Sequence, residues 1–239
     1  MNGATFVWRW IPPGRFLMGS PEGEEGRDAA EGPQHSVAIT RGFWIAETPV
    51  TQEQWGALRK ENPSRFRGAQ RPVERVTWDE CQGFAKDLGK QITNLWPALP
   101  TDAQWEYACR AGSSGPYHSP GRGRSSGKLK EVGWYNKNSE GESHELKGKK
   151  ANAWGLYDMH GNVYEWCSDG LRKYAKRGER DPMGPEKEGV GRVIRGGSWD
   201  GSARFCRAAY RYGLEPGDRW FNVGFRLCAG QEPRSGASE

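Results

Sequence analysis

The stretch from Arg192 to Cys228, RVIRGGSWDGSARFCRAAYRYGLEPGDRWFNVGFRLC, sets the terms on which this chain can fold. It opens on a short β-branched run and a turn at Gly196 and Gly197. It closes on Val223, Phe225 and Leu227, whose alternation is that of a strand with one buried face. Between these ends Phe205, Tyr210, Tyr212, Trp220 and Phe221 are interleaved with Arg204, Arg207, Arg211 and Arg219. Rings give large contact area at low entropy cost, so rings and guanidinium groups among Gly, Ser and Asp compose a recognition surface. The same residues also compose a buried aromatic core threaded by Arg ion pairs. The stretch alone leaves both readings open.

A chain of 239 residues is long enough to bury a real core. With 34 Gly, 15 Pro and 12 Trp, it reads as an irregular, loop-rich α+β domain pinned by large aromatic side chains. The net charge of +5 is spread along the chain. An acidic run at Glu22, Glu24, Glu25, Asp28 and Glu31 and a basic one at Lys128, Lys130, Lys147, Lys149 and Lys150 read as solvated loops. No Lys/Arg groove with stacked aromatics points to nucleic acid. The five cysteines, Cys81, Cys109, Cys167, Cys206 and Cys228, are odd in number and show no CxxC spacing, which argues against a zinc site or a disulfide framework and leaves room for one disulfide. No apolar run is long enough to span a membrane and no signal peptide is visible. The expected location is therefore cytoplasmic, or cell-surface or secreted if a leader has been removed.

In chain order, Phe6 to Gly19 reads as a hairpin around a Pro-Pro-Gly turn, and Val37 and Ile39, then Phe43 to Ile45, as strands. Three helices are announced by N-caps: Thr51 before QEQWGALRK, Thr77 before WDECQGFAKDLGK, and Thr101 before DAQWEYACRAG. The segment from Gly115 to Lys150 is a long polar loop, which must be functional or held by something such as an ion. A second charged loop runs from Arg172 to Gly191, and a tail read as disordered begins at about Gln231. The expectation is one domain over residues 1–230.

Seven segments, taken in this order, carry a resemblance: GRFLMGS, EGPQHSVAITRGFWIAETPVTQEQW, RPVERVTWDECQGFAKDL, LPTDAQWEYACRAG, WGLYDMHGNVYEWCSD, RVIRGGSW and NVGFRL. The chain resembles the formylglycine-generating-enzyme (sulfatase-modifying factor) family from about Phe6 to Cys228. The resemblance implies a variant of the C-type lectin-like fold, with short helices and small antiparallel sheets. One segment departs from it: QITNLWPA is longer and more apolar than the usual lead into LPT, an insertion that would pack Trp96.

Enzymes of that family use two cysteines shortly after the GGSW motif to bind copper, because two thiolates must converge on one soft ion. Here Asp200 and Gly201 stand where the first thiol falls, and Cys206, the one cysteine between Trp199 and Val223, matches a later structural cysteine of the family or else the second thiol's spacing, so one thiolate is left where two are needed. No catalytic residue is therefore assigned and no copper is expected. The four histidines, His35, His118, His144 and His160, are far apart, and no Ser-His-Asp, P-loop or HExxH pattern occurs. His160 reads as a hydrogen-bonded structural histidine. The resemblance also implies a structural calcium ion, with side-chain oxygens from Asp158 and Glu165 and carbonyls from Gly161 and Val163. The plainer reading is that the two carboxylates hydrogen-bond the turn.

The C-terminal stretch is also similar to the variable region of diversity-generating-retroelement variable proteins, in which asparagine codons are randomised through a template copy. Laid on that pattern, the variable positions, within about 199–222, are Asp200, Gly201, Ser202, Phe205, Tyr210, Tyr212, Gly213, Leu214, Phe221 and Asn222. The fixed scaffold is Gly196, Gly197, Trp199, Arg204, Arg207, Arg211, Arg219, Val223, Gly224 and Phe225. Randomised Asn codons that keep their last base cannot encode Lys, Glu, Gln, Met or Trp, and none of these occurs at the variable positions. The resemblance thus implies a non-catalytic protein that displays a diversified surface to a protein or surface ligand. Phe205, Tyr210, Tyr212 and Phe221 would be its exposed anchors. The alternative is a copper-dependent formylglycine-generating or related oxidoreductase.

Overall fold

The computed structural model describes residues 4–118, 128–185 and 191–230. Its strands are β1 (Trp8–Ile11), β2 (Gly14–Met18), β3 (His35–Ile39), β4 (Phe43–Ala46), β5 (Trp96–Ala98), β6 (Gly133–Trp134), β7 (His160–Gly161), β8 (Tyr164–Gly170), β9 (Glu179–Arg180), β10 (Arg192–Arg195), β11 (Arg211–Leu214), β12 (Val223–Phe225) and β13 (Cys228–Gly230). Its α-helices are α1 (Gln52–Gly56), α2 (Trp78–Gly89), α3 (Asp102–Arg110) and α4 (Leu129–Val132). This is the α+β, loop-rich architecture expected.

Each expected N-cap closes a capping box. The hydroxyls of Thr51, Thr77 and Thr101 accept from the backbone of Gln54, Glu80 and Gln104, whose side chains accept from the cap residues in return. The first helix is shorter than its pattern suggested and ends at Gly56. The N-terminal hairpin does not form. Instead β1 pairs with β4 and β2 with β3, in different sheets. Pro12 and Pro13 between them offer no N–H groups to a ladder, so the chain crosses from one sheet to the next at that point. The sheets are also not purely antiparallel: β3 with β9, β6 with β7, and β8 with β12 pair in parallel. Trp96 lies on edge strand β5 and is exposed, so the apolar insertion supplies a strand rather than a buried ring.

The sheet β11–β10–β8–β12 organises the C-terminal half. Its register aligns Tyr212 with Ile194, Ile194 with Trp166, and Trp166 with Phe225. Paired residues share a face, so these side chains, with Tyr164, Leu214 and Val223 two residues on, lie on one side. The next row, Arg211, Arg195, Glu165 and Gly224, lies on the other. The first face packs on a core that includes Val50, Trp55, Phe84, Leu88 and Leu227. Trp55 and Phe84 stack at 5.3 Å, and Phe225 meets both edge-on. A second core, around Ile11, Met18, Val37, Phe43, Trp105 and Met159, lies under the remaining sheets.

The described part of the long polar loop is held by hydrogen bonds. Asn136 donates to the Gly201 carbonyl at 3.0 Å, and the Ser139 hydroxyl to that of Trp199 at 2.7 Å. His144 and Asn162 bond each other twice, at 2.9 and 3.0 Å. Residues 186–190 of the second charged loop and the tail from Gln231 lie outside the described residues.

Candidate ligand-binding site

The polar face of the C-terminal sheet is an ionic latch. Arg195 is fully buried. Its Nε donates to Asp102 at 2.6 Å and its Nη2 to Glu106 at 2.9 Å, both on α3, while Nη1 donates to the carbonyls of Ala208 and Tyr210 at 3.0 and 3.2 Å. Arg211 reaches the other oxygen of Asp102 at 3.0 Å, and Arg110 reaches Glu106 at 2.8 Å. Burial alone would raise the Asp102 pKa, but Arg195 and Arg211 outweigh it and hold the carboxyl below its ordinary value. The acidic N-terminal run, read as a solvated loop, supplies a second latch. Glu31 is fully buried and grips Arg207 with both oxygens, and Glu24 adds a bond at 2.7 Å. Arg207 and Arg211 are thus buried and ion-paired, whereas Arg204 is exposed and lies over the Phe205 ring at 4.4 Å.

The loop from Gly196 to Tyr210 hangs from these latches. Gly196 and Gly197 both have positive φ, at 95° and 75°. A Cβ on Gly197 would lie 2.6 Å from Cys206 Sγ and 2.8 Å from the Phe205 carbonyl, so the turn requires glycine. Beneath it His160 is buried. Its Nδ1 lies 2.7 Å from the Cys206 carbonyl, and its Nε2 accepts from the His118 backbone at 3.0 Å. Burial, then the neighbouring His118, holds the ring pKa well below its usual value, which keeps it neutral. This is the structural histidine expected.

Where the apolar face of the sheet emerges at the edge of the core, it forms a pocket of about 390 Å³. Seven of the variable positions line it: Asp200, Gly201, Phe205, Tyr210, Tyr212, Leu214 and Asn222. Ser202, Gly213 and Phe221 do not. Ser202 caps a 3₁₀ turn, Gly213 sits opposite Val193, and Phe221 packs on Trp199 at 5.8 Å with Arg65 over its ring at 5.3 Å. Tyr210, Leu214 and Asn222 are buried, and Phe205 is half-buried. The expectation of a wholly exposed display is therefore corrected. A concave site buries the residues at its floor; Tyr212, at 53%, is its exposed variable ring, and Phe221, at 37%, is exposed beside it. Trp220, adjacent to the variable positions, is 49% exposed and forms part of the wall. Sequence reasoning missed Tyr164, Ile194, Ser198 and Val223 as pocket residues; the two-residue period of β8 and β10 was the available signal for the first two.

All five cysteines are buried and free. Burial pushes the Cys206 thiol up to about 12, and its sulfur packs under Gly197 and is not part of the pocket lining. A copper site needs thiolates. Among the described residues no cluster of three His, Cys, Asp or Glu side chains is arranged for a metal.

The four residues expected to hold calcium divide into two kinds. Glu165 is buried, with both oxygens bonded to Arg226 at 2.9 Å and Oε2 also accepting from Trp105 Nε1 at 2.6 Å. Its charge is already neutralised. Asp158 is buried too, accepting from the Lys147 backbone at 2.9 Å and Asn162 Nδ2 at 3.2 Å, and it forms no ion pair among the described residues. Burial raises its pKa. Asp158 is thus a buried carboxylate with no counter-charge among the described residues, whereas Glu165 would have to share itself with a guanidinium.

Comparisons with known proteins bear on the family and the fold. The model of the sulfatase-modifying factor enzyme 1-like domain matches residues 7–230. The serine/threonine-protein kinase pkn1 of Chlamydia caviae is 31% identical over 92% of this chain, which spans only 37% of that protein. The formylglycine-generating enzyme of Streptomyces coelicolor is 29% identical over 95% of this chain and 90% of its own length. Among solved structures, Treponema denticola variable protein 1 superposes with a TM-score of 0.82 at 31% identity, covering 95% of this chain and 96% of that one. PvdO of Pseudomonas aeruginosa also gives 0.82, at 28% identity and 93% of each chain. The chain therefore belongs to the sulfatase-modifying factor enzyme 1-like domain family and shares its fold with a variable protein of known structure.

Proposed function

We propose that this is a non-catalytic ligand-binding protein, a variable protein of the diversity-generating-retroelement kind, whose C-terminal pocket and rim are its diversified surface. The observation that carries the reading is the convergence of Asp200, Gly201, Phe205, Tyr210, Tyr212, Leu214 and Asn222 on one concavity. The backbone of that concavity is fixed by other residues. Arg195, Arg207 and Arg211 are held by acidic partners on α3 and in the N-terminal segment, so the rim side chains are free to change. The partner is proposed to be a protein surface. Asp200 and Gly201 at the first thiol position and a buried Cys206 support a non-catalytic role.

Simultaneous randomisation of Asp200, Gly201, Ser202, Phe205, Tyr212, Gly213 and Phe221 tests this. Most library members are expected to keep a cooperative unfolding transition, with each substitution costing about 0.5 kcal/mol or less, the range of surface substitutions. Widespread loss of folding would mean that these side chains belong to the core.

A structural calcium ion at Asp158, with carbonyls from Gly161 and Val163, is proposed alongside. Calcium at about 100 times its Kd would stabilise chelator-treated protein by about 2.7 kcal/mol. At this size that raises the Tm by roughly 5 to 10 °C. Asp158→Asn should abolish the rise. No rise in the parent would mean that the turn is held by its hydrogen bonds alone.

A further inference from the structure

The pocket carries a chemical preference, and naming it rests on the binding reading above. Among the described residues Asp200 is the one charged residue in its lining, which holds no described Lys, Arg or His. Asp200 is exposed, and its oxygens are met by the Ser198 hydroxyl at 2.6 Å and by Asn222 Nδ2 at 3.0 and 3.2 Å, all neutral donors. No Lys or Arg among the described residues pairs with it, in a chain whose net charge is +5. Asn222 spends its amide on Asp200 and Ser198, while its own carbonyl oxygen is buried and has no partner among the described residues. The site thus offers an exposed carboxylate, and no described Lys or Arg stands in its lining.

Around these acceptors stand the rings of Tyr164, Phe205, Tyr210, Tyr212 and Trp220. A ring face attracts a cation within about 6 Å of its centroid, and aromatic cages beside a carboxylate select ammonium and guanidinium groups. One pocket ring already makes this contact, with Arg204 over Phe205 at 4.4 Å, and beside the pocket Arg65 lies over Phe221 at 5.3 Å. No described Lys or Arg lies over Tyr210, Tyr212 or Trp220. We infer that this pocket receives a cationic side chain, the ammonium of a lysine or the guanidinium of an arginine, presented by a partner protein. Asp200 pairs with the charge, Tyr212 and Trp220 flank it, and its stem lies along Leu214 and Val223.

The test titrates ¹⁵N-labelled protein with n-butylguanidinium, n-butylammonium and neutral pentanamide, following the amides of residues 198–214 and the Trp220 indole. The two cations should bind with Kd values of about 1 to 10 mM, as expected of so few heavy atoms. Pentanamide should bind about ten-fold more weakly. Asp200→Asn and, separately, Tyr212→Leu should reduce the cations to the level of pentanamide; both positions are exposed, so the fold is retained. Equal binding of cations and pentanamide, or cation binding unchanged in both variants, would overturn the inference. A peptide-display selection separates it from the reading beneath it. Binders lost on Tyr212→Ala with Trp220→Ala and enriched in Lys or Arg support the inference. Binders lost in the same way without such enrichment overturn it and leave the binding surface standing. Absence of any binder that depends on these residues overturns both.

Discussion

Arg195→Leu is expected to destabilise the protein by about 3 to 5 kcal/mol, the range for removing one partner of a buried ion pair. Among the described residues Arg195 is the one cation that touches both Asp102 and Glu106, and all three side chains are buried. Leucine fills much of the volume but leaves Glu106 with Arg110 alone and Asp102 with Arg211 alone. It also removes the donors to the carbonyls of Ala208 and Tyr210, which position the floor of the pocket. Thermal unfolding should show the Tm falling by roughly 6 to 20 °C for a domain of this size. A loss under about 1 kcal/mol would mean that the latch is replaceable and that the pocket backbone is fixed by something else.

Gly197→Ala is the second large effect. Its added Cβ meets Cys206 Sγ at 2.6 Å, the Cys206 Cα at 2.8 Å and the Phe205 carbonyl at 2.8 Å, and its φ is 75°. Two of those atoms are backbone and cannot turn aside. Left-handed strain and overpacking together should cost about 2 to 4 kcal/mol. Gly201→Ala is the control: its Cβ would meet nothing closer than 3.4 Å and its φ is ordinary, so it should stay within about 0.5 kcal/mol of the parent. Urea denaturation of the two variants separates them. Equal stability would contradict the account of a turn held rigid by close packing.

Much of this arrangement was legible in the chain before folding. The caps at Thr51, Thr77 and Thr101 are local signals, read from a few adjacent residues, and each is realised in full. The alternation of Val223 and Phe225 and the paired glycines likewise carry their geometry with them. What could not be read was long-range. Glu31 looks like one more acid in a polar run, and nothing nearby shows that it will close on Arg207, 176 residues on. Pro12 and Pro13 look like a hairpin turn, and only the partners of β1 and β2 show a crossing between sheets. The variable positions were placed by pattern, and their convergence appears only when β11 folds beside β10. Burial of Tyr210 and Leu214 follows from the pocket's concavity, which composition does not encode.

The most direct measurement is to sequence this gene from many isolates of its source. The account predicts changes concentrated at the codons of Asp200, Gly201, Ser202, Phe205, Tyr210, Tyr212, Gly213, Leu214, Phe221 and Asn222. Gly196, Gly197, Trp199, Arg195, Arg207, Arg211 and Trp220 should stay fixed, as should the chain before Arg192. Changes scattered along the chain, or an invariant pocket, would contradict a diversified surface and point to one dedicated ligand.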